Sequence, residues 1–576
     1  MAKAVYICTR DAAKAKRYGP LLEVLAARLA PDNITPRPPL IQKDGAIALA
    51  VYSPNETILT HQNSVCLGPI YEQNVEWWRT SSEPPDGTYA MFRSDAGRVE
   101  AVTDTLASRT IWYYHDKEVF IASTSQRAIV FLTGRFDFDR SVIPWMLSTG
   151  TLGCGLSWDK SIHWLPGDSI LALDRKSWRT SLTTRTHPFS SVDRPPGHHE
   201  SLLLDVLQET IGAHDHDLER WIVPLSGGVD SRGVLSLLVR NGARPHTLTW
   251  GLLHSMGREG NDASIAREIA SYYDLKHTYH ALDVHKPPVE VVFDRFIKQG
   301  EGRIDEIAGY VDGFAIWKHL HDSEVAGIFR GDEVFGYPLM TSIEKVLRYH
   351  GQVLWNDFTT MRSLEELGLP PQEAPDILRP RPGESLSLWR DRLCQAVDVQ
   401  FALSALNDLK LSYVEVANPL LARRIVYLVR TLPDEERDEK RLWTKIVRSI
   451  GPKIDFAEHD AIGTIGGFLR SPATAEFLQD ELSSRTAASV LPSALLDDIV
   501  ANMYVEAPDR SRKVRYCTAA RAFPRRVHNK LSRVLRGTES YFVGYNRLAL
   551  RAFIICRATQ LLHEDAAVVS SITEAD

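Results

Sequence analysis

The stretch Trp221-Ile-Val-Pro-Leu-Ser226-Gly227-Gly228-Val229-Asp230-Ser231 decides how this chain is read. A short apolar strand runs into Ser-Gly-Gly-x-Asp-Ser. A helix leaves it, carried by Val234, Leu235, Leu238 and Val239 at helical spacing, with Gly242 placed as its C-terminal cap. Gly227 and Gly228 let the backbone approach an anion with no Cβ in the way. Free amides at the start of the helix, at the positive end of its dipole, favour that anion. Ser226 and Ser231 add hydroxyl donors. Asp230 repels a phosphate unless it holds a cation, which points to Mg2+. The pattern is neither Gly-x-x-x-x-Gly-Lys-Ser/Thr nor Gly-x-Gly-x-x-Gly. A tight, capped strand-to-helix turn with no ligand is the plain alternative.

Outward from this loop, strand-like and helical stretches alternate. His246–Gly251 is followed by helical Ala263–Tyr273, and helical Gly313–His321 by Val325–Phe329. That alternation predicts a doubly wound α/β domain with a parallel sheet. Towards the N-terminus the pattern differs. Ala4–Cys8, Ala46–Val51, Thr88–Phe92, Val99–Thr103 and Val119–Ser123 read as closely spaced strands, with one helix over Ala12–Ala30. The polar segment Ser190–His199, with its Pro-Pro-Gly, reads as a linker between the two patterns. From about residue 340 the chain reads as mostly helical.

Composition narrows the class. The 576 residues are 44% hydrophobic and 24% charged, with a net charge of −6, so the whole chain is not built to attract nucleic acid. The cysteines at 8, 66, 154, 394, 517 and 556 form no Cys-x-x-Cys pair and no zinc spacing, which suits a reduced, cytoplasmic setting. No run of 18 apolar residues predicts a membrane span. Between Asp509 and Arg536 ten Lys/Arg residues face one acid, read as a basic solvated helical face or as a docking surface for an acidic peptide, carrier or maturation partner.

The loop and the motifs after it resemble the asparagine synthetase branch of the ATP-pyrophosphatase enzymes. Ser226–Ser231 is similar to the family's pyrophosphate loop, and His246–Gly251 to its second strand. Asn261–Glu268 with Asp274–His277 is similar to the helix and turn that follow. Gly331-Asp332-Glu333-Val-Phe335-Gly336-Tyr337 resembles its Gly-Asp-Glu-Leu-Phe-Gly run, and Glu415-Val-Ala-Asn-Pro419-Leu420-Leu421 with Leu432-Pro433 and Lys440 its later segment. Asp104–Arg109, Trp112–Tyr114, Ala122-Ser123 and Leu165–Gly167 look like the late part of the family's glutaminase domain. The resemblance implies three segments: a degenerate glutaminase-like sandwich of N-terminal-nucleophile type over 1–190, an ATP-pyrophosphatase domain over 200–460, and a helical extension over 461–576.

It also implies roles. ATP and Mg2+ are the implied cofactors. Leu225, Ser226, Gly227, Gly228, Asp230, Ser231, Trp250, Gly327 and Gly331 would bind the nucleotide, with Leu225 and Trp250 flanking adenine. Asp230 and Asp332 would share the metal, two carboxylates for a hard cation. Lys440, with Lys445 as its rival, would supply a point charge to the transition state. Glu415 would stand near the acceptor amine as a general base or an ionic orienter, or serve the fold alone.

The chain departs from the family in three places. Met1-Ala2 carries no cysteine where glutamine-hydrolysing members have their nucleophile, and Cys8 lies in a predicted strand. The sandwich is therefore expected to be a structural remnant. Phe329 replaces an acidic residue of asparagine-forming members and the tyrosine of a β-lactam-forming relative, and Arg330 beside it would add charge at the phosphates. Ala422 replaces an aspartate expected to be structural. The expected activity is an ATP-dependent, AMP- and pyrophosphate-forming amide ligase without its own glutaminase, which joins a peptide or small-molecule carboxylate to an amine. Resemblance to lasso-peptide macrolactam and β-lactam synthetases suggests a precursor peptide as substrate. An asparagine-synthetase-like enzyme using free ammonia, and a nucleotide-binding pseudoenzyme or scaffold, are the alternatives.

Overall fold

Twelve strands build the N-terminal half: β1 (Lys3–Thr9), β2 (Leu40–Asp44), β3 (Ile47–Tyr52), β4 (Ile58–His61), β5 (Ser64–Leu67), β6 (Ala90–Ser94), β7 (Arg98–Thr103), β8 (Trp112–His115), β9 (Val119–Ser123), β10 (His163–Trp164), β11 (Ser169–Asp174) and β12 (Arg179–Thr184). They form two six-stranded antiparallel sheets, ordered β10-β8-β9-β1-β3-β2 and β12-β11-β7-β6-β5-β4. The computed structural model describes residues 3–55, 57–214, 218–284, 286–358, 361–506 and 543–573. Met1-Ala2 and the basic segment 509–536 lie outside the described residues.

The inner faces of both sheets share one core: Tyr6 of β1 stacks on Phe92 of β6 with ring centroids 5.8 Å apart. The five predicted strands are present within two residues at each end. The predicted helix over Ala12–Ala30 is two helices, Ala12–Ala15 and Tyr18–Leu29, because the run Lys16-Arg17 carries no apolar face across the break. Strands β2, β4 and β12 escape the sequence reading for a physical reason. They are edge or near-edge strands, and their half-exposed faces, fully exposed in β12, carry little apolar alternation.

The second half is a five-stranded parallel sheet, β13 (Trp221–Pro224), β14 (His246–Gly251), β15 (His277–Ala281), β16 (Gly327–Phe329) and β17 (Glu415–Ala417), in the order β15-β14-β13-β16-β17. The order reverses at β13, between β14 and β16. In such sheets a ligand crevice opens at that switch point, beyond the carboxyl ends of the strands. The Ser226–Ser231 loop, the candidate phosphate loop, sits there. The fold is thus mixed α/β, with antiparallel layers first, a parallel sheet second and helices towards the end.

The third segment does not stand apart as an extension. The helix Tyr545–Thr573 packs on the N-terminal helices Gln126–Thr133 and Val142–Thr149 and on the helices between 465 and 502. Asp565 on it accepts from Arg127 (2.7 Å) and Arg28 (2.6 Å), and Arg551 donates to Asp305 (2.7 Å). No helix among the described residues is long and apolar enough to cross a membrane.

Candidate active site

The phosphate loop is held by its own hydroxyls and by one neighbour. Ser231 Oγ accepts from the Ser226 amide at 3.0 Å and lies 3.0 Å from Ser226 Oγ, while the Gly228 amide donates to Ser226 Oγ at 3.2 Å. The Gly227 amide donates to Asp262 at 2.9 Å. Val229–Arg240 then begins as a helix with Asp230 in its first turn. The need for glycine at 227 is steric and comes from another part of the chain. A Cβ there meets the Ala457 Cβ at 2.4 Å, because residues 454–457 cross the loop and the Ala457 amide donates to the Gly227 carbonyl at 3.1 Å. Arg232 ties this crossing down by donating to the carbonyls of Gly227 (3.2 Å) and Asp455 (2.9 Å).

Around the loop opens a pocket of about 270 Å³. Leu225, Ser226, Asp230, Ser231, Trp250, Gly331 and Asp332 line it, together with Asp262, Arg330 and Ile462. Gly331 packs tightly on the loop: a Cβ there meets the Asp230 carbonyl carbon and the Ser231 nitrogen, both at 2.8 Å. This contact sets the Asp332 carboxylate on the same wall as Asp230. Trp250 presents a half-buried indole whose other side meets Trp317 edge-on at 5.6 Å. The backbone groups of Leu225 are both engaged in the sheet, its amide on Leu248 and its carbonyl accepting from Thr249. Leu225 therefore contributes an apolar wall rather than free backbone hydrogen bonds.

Each carboxylate of this wall faces a cation. Lys440 Nζ bridges Asp230 Oδ2 (2.8 Å) and Glu333 Oε1 (2.7 Å). Trp443 Nε1 donates to the other Asp230 oxygen at 2.9 Å. Arg330 forks onto Asp332 at 2.9 and 3.3 Å. Burial works against the Lys440 charge, but Glu333 and Asp230 overcome it and hold the ammonium protonated well above its ordinary range. Burial pushes the Glu333 carboxyl up. Lys440 has φ = 53° and Glu439 before it φ = 58°, two successive non-glycine residues in the left-handed region. Such residues cost on the order of 1–3 kcal/mol each and persist only where the surroundings impose them. Here the Glu439 amide donates to the Tyr337 carbonyl at 2.8 Å, which pins the turn and aims Lys440 inward.

Several expected site residues lie elsewhere. Lys445 is exposed and pairs with Glu200 at 2.7 Å on the far side of its helix. Gly327 lies under the Trp221 indole, where a Cβ meets ring carbons at 2.5 Å, and lines no part of the pocket. Phe329, noted only as a departure from the family, is fully buried against Trp221 with ring centroids 4.9 Å apart. Glu415 is sealed between the two halves of the chain. Arg109 donates to its Oε1, the Val416 amide adds a bond of 2.8 Å, and Asn55 (2.6 Å) and Thr57 donate to Oε2. Burial raises its pKa, but Arg109 and these hydrogen bonds prevail and hold it as a carboxylate below the usual range. Both of its oxygens are thus engaged by donors of this chain.

Glu333, Trp443 and Asp262 were not predicted as site residues. Glu333 stood beside a predicted metal ligand, and that adjacency was the available signal. Trp443 has the rhythm of an ordinary core aromatic in its helix. Among the described residues no group of three or more His, Cys, Asp or Glu side chains is gathered that could hold a metal by itself. The two carboxylates on one wall do fit Mg2+, which takes one or two carboxylates and completes its shell with phosphate oxygens and water.

The loop, its switch-point position and the Gly331–Asp332 turn lie in one continuous part of the chain. Residues 202–395 match the asparagine synthase family. The asparagine synthase segment holds β13 to β16, the phosphate loop and Asp332, and it ends before Glu415 and Lys440. The match supports a carbon–nitrogen ligase that uses ATP, in general terms. No curated protein matches the chain.

Proposed function

We propose that this chain is an AMP- and pyrophosphate-forming amide ligase that activates a carboxylate as its acyl-adenylate and passes it to an amine, without hydrolysing glutamine. The observation that carries this reading is the pocket at the Ser226–Ser231 loop with Asp230 and Asp332 on one wall, with Lys440 Nζ bridging Asp230 and Glu333 just behind that wall. Charge develops on the departing pyrophosphate, and a preorganised ammonium aimed at that place lowers the barrier. Ser226, Ser231 and the helix start at Val229 orient the phosphates of ATP, and Asp230 and Asp332 would hold Mg2+, which supplies Lewis-acid charge neutralisation. Ile462, which follows the crossing at 454–457, lines one side of the pocket and would help to shield an activated carboxylate from water.

Two thiols of the antiparallel sheets support the reading without glutamine hydrolysis. Cys8 is fully buried between β3 and β9, and burial pushes its thiol up to about 11, so it forms no thiolate near neutral pH. Cys66 is buried in the second sheet, with its thiol raised further. The amine then arrives on the substrate, and our reading is closure of a peptide macrolactam, in which one molecule carries both reacting groups. The test is pyrophosphate release from ATP in the presence of peptides that carry a free N-terminal amine and an acidic side chain, against glutamine and against ammonia. Release stimulated by the peptide and lost in Asp230→Ala supports the reading. Stimulation by ammonia alone overturns the peptide acceptor, and release by no carboxylate overturns the ligase.

A further inference from the structure

A second cavity, of about 770 Å³, opens at the same carboxyl edge of the parallel sheet. It lies beyond the ends of β14 and β15, where the nucleotide pocket lies beyond β13, β14 and β16. The two share no lining residue but lie side by side, flanked on both sides by chain neighbours. Trp250 lines the first and Leu252 the second, two residues apart as β14 ends. Ile462 lines the first and Gly463 the second. The seam is stitched where the Leu252 amide donates to the Ala461 carbonyl at 2.9 Å and Ser255 Oγ donates to the same carbonyl at 3.0 Å.

The lining is chiefly aliphatic and aromatic: Leu252, Leu282, Val289, Val292, Phe468 and Pro472 face it. Asp283 and Lys286 are its charged members. Asp283 accepts from the Leu253 amide at 2.7 Å, and Lys286 is exposed at the rim. Apolar side chains also stand in solvent beside the lining and the seam: Leu253 (52% exposed), Val284 (65%) and Ile462 (37%). One wall comes from the helices Ile465–Arg470 and Pro472–Leu482, which lie outside the asparagine synthase segment. Ammonia, or a small polar amino acid, uses none of this space. The volume is in the range of a small-molecule site lined mainly by hydrophobic groups.

We propose that this cavity binds the non-reacting, apolar arm of the substrate whose carboxylate or amine reacts in the neighbouring pocket. The substrate class is therefore a carboxylate or amine that bears a large hydrophobic group, either an acyl chain or apolar peptide side chains. This inference rests on the ligase reading.

Gly467 supplies a clean test. It lines the cavity, and beyond its own helix backbone and chain neighbours a Cβ built there finds only Thr464 Oγ1 within 4 Å, at 3.9 Å, so the position has room for a large side chain. The probes are N-acetyl-, N-octanoyl- and N-dodecanoylglycine and acetyl-Leu-Phe-Leu. Their binding to the full chain is measured by displacement of 1-anilinonaphthalene-8-sulfonate, with ATP binding measured in parallel. The expected affinity rises roughly fourfold per added methylene until the cavity fills. Gly467→Trp then weakens the long probes by about tenfold or more while ATP binding is unchanged. Ala473→Phe, on the neighbouring helix, repeats the test should Gly467→Trp fail to fold.

The relative affinity of dodecanoylglycine and the tripeptide tells acyl from peptide. No binding by the native chain, or binding untouched by both variants, overturns the cavity. Pyrophosphate release from short polar carboxylates without binding of the long probes also removes the cavity and keeps the ligase. Binding of the long probes with no pyrophosphate release from any carboxylate removes the ligase, and the substrate assignment with it.

Discussion

Arg109 of the N-terminal half donates into Glu415, the first residue of β17 in the parallel sheet, and both side chains are at most 5% exposed. The sequence places these residues about 300 positions apart in what resemble two different domains, and the fold makes them one ion pair. Asp104 prepares it. Its carboxylate accepts from the amides of Leu106 (2.9 Å) and Ser108 (3.1 Å), which curls the loop after β7 and aims Arg109 across the interface. Breaking a buried pair leaves a charge without compensation. Arg109→Ala should therefore lower the unfolding free energy by about 3–5 kcal/mol. Arg109→Met with Glu415→Leu should recover much of that loss. Denaturant titrations of the two single variants and the double variant check this, and equal losses in all three would deny that the residues act as a pair.

Lys440 and Lys445 are five residues apart and should behave oppositely. Lys440→Ala removes the charge that bridges Asp230 and Glu333, and kcat for pyrophosphate release should fall by about 10²–10³-fold. Lys445→Ala removes an exposed pair with Glu200, and its kcat should match that of the unaltered chain. Steady-state pyrophosphate release on both variants decides between them. A large loss in Lys445→Ala would reverse the assignment.

The two glycines of the phosphate loop should also separate. Gly227→Ala puts a methyl 2.4 Å from Ala457 and 3.0 Å from Ile265, and overpacking of this kind costs about 1–3 kcal/mol. The crossing at 454–457 must move, and ATP binding should weaken with it. At Gly228 a Cβ meets only Ser226 Oγ, at 3.3 Å, so Gly228→Ala should be milder. Calorimetric titration with ATP compares the two. Equal affinities would show that the crossing does not shape the loop.

His277 at the start of β15 gives the stability a definite pH dependence. Burial, then the charges of His246 and Arg267, lowers its pKa from 6.5 to about 4, and its Nδ1 lies 2.9 Å from Thr247 Oγ1. Above pH 6.5 the ring is neutral in both folded and unfolded chains, and its stabilising contribution is complete. Between 6.5 and 4 the unfolded chain takes up a proton that the folded chain refuses, so stability falls as pH is lowered. His277→Asn should flatten part of the stability profile in that window. Denaturation midpoints measured across it provide the check, and an unchanged slope in the variant would assign the effect to other groups.

Much of this was legible in the sequence, and the gaps have physical causes. Strands such as Trp221–Pro224 are short apolar runs that end at a turn, and their limits follow from the sequence within a residue or two. Strand β12, exposed along its whole length, carries no apolar rhythm to read. The phosphate loop is a local object, because glycines, hydroxyls and a helix start are consecutive in the chain. Trp443 was not legible as a site residue, and Glu333 only by its place beside Asp332, since each matters through Lys440 or Asp230, which the fold delivers from other elements. Phe329 stood in the sequence only as a departure from the family's acidic or tyrosine residue, and its packing on Trp221 places it in the core.

The sequence by itself determined the strand–loop–helix at 221–240, the alternation that makes a parallel sheet, and the residue types able to meet phosphate and a hard cation. Those properties depend on neighbours along the chain and on side-chain chemistry. Tertiary structure alone decided that Lys440, and not Lys445, reaches the loop, that Glu415 pairs with Arg109, and that the helices after residue 464 wall a large apolar cavity beside the pocket at the Ser226–Ser231 loop. Each of these depends on which distant side chains close packing brings within a few ångströms, a distance that spacing along the chain does not encode.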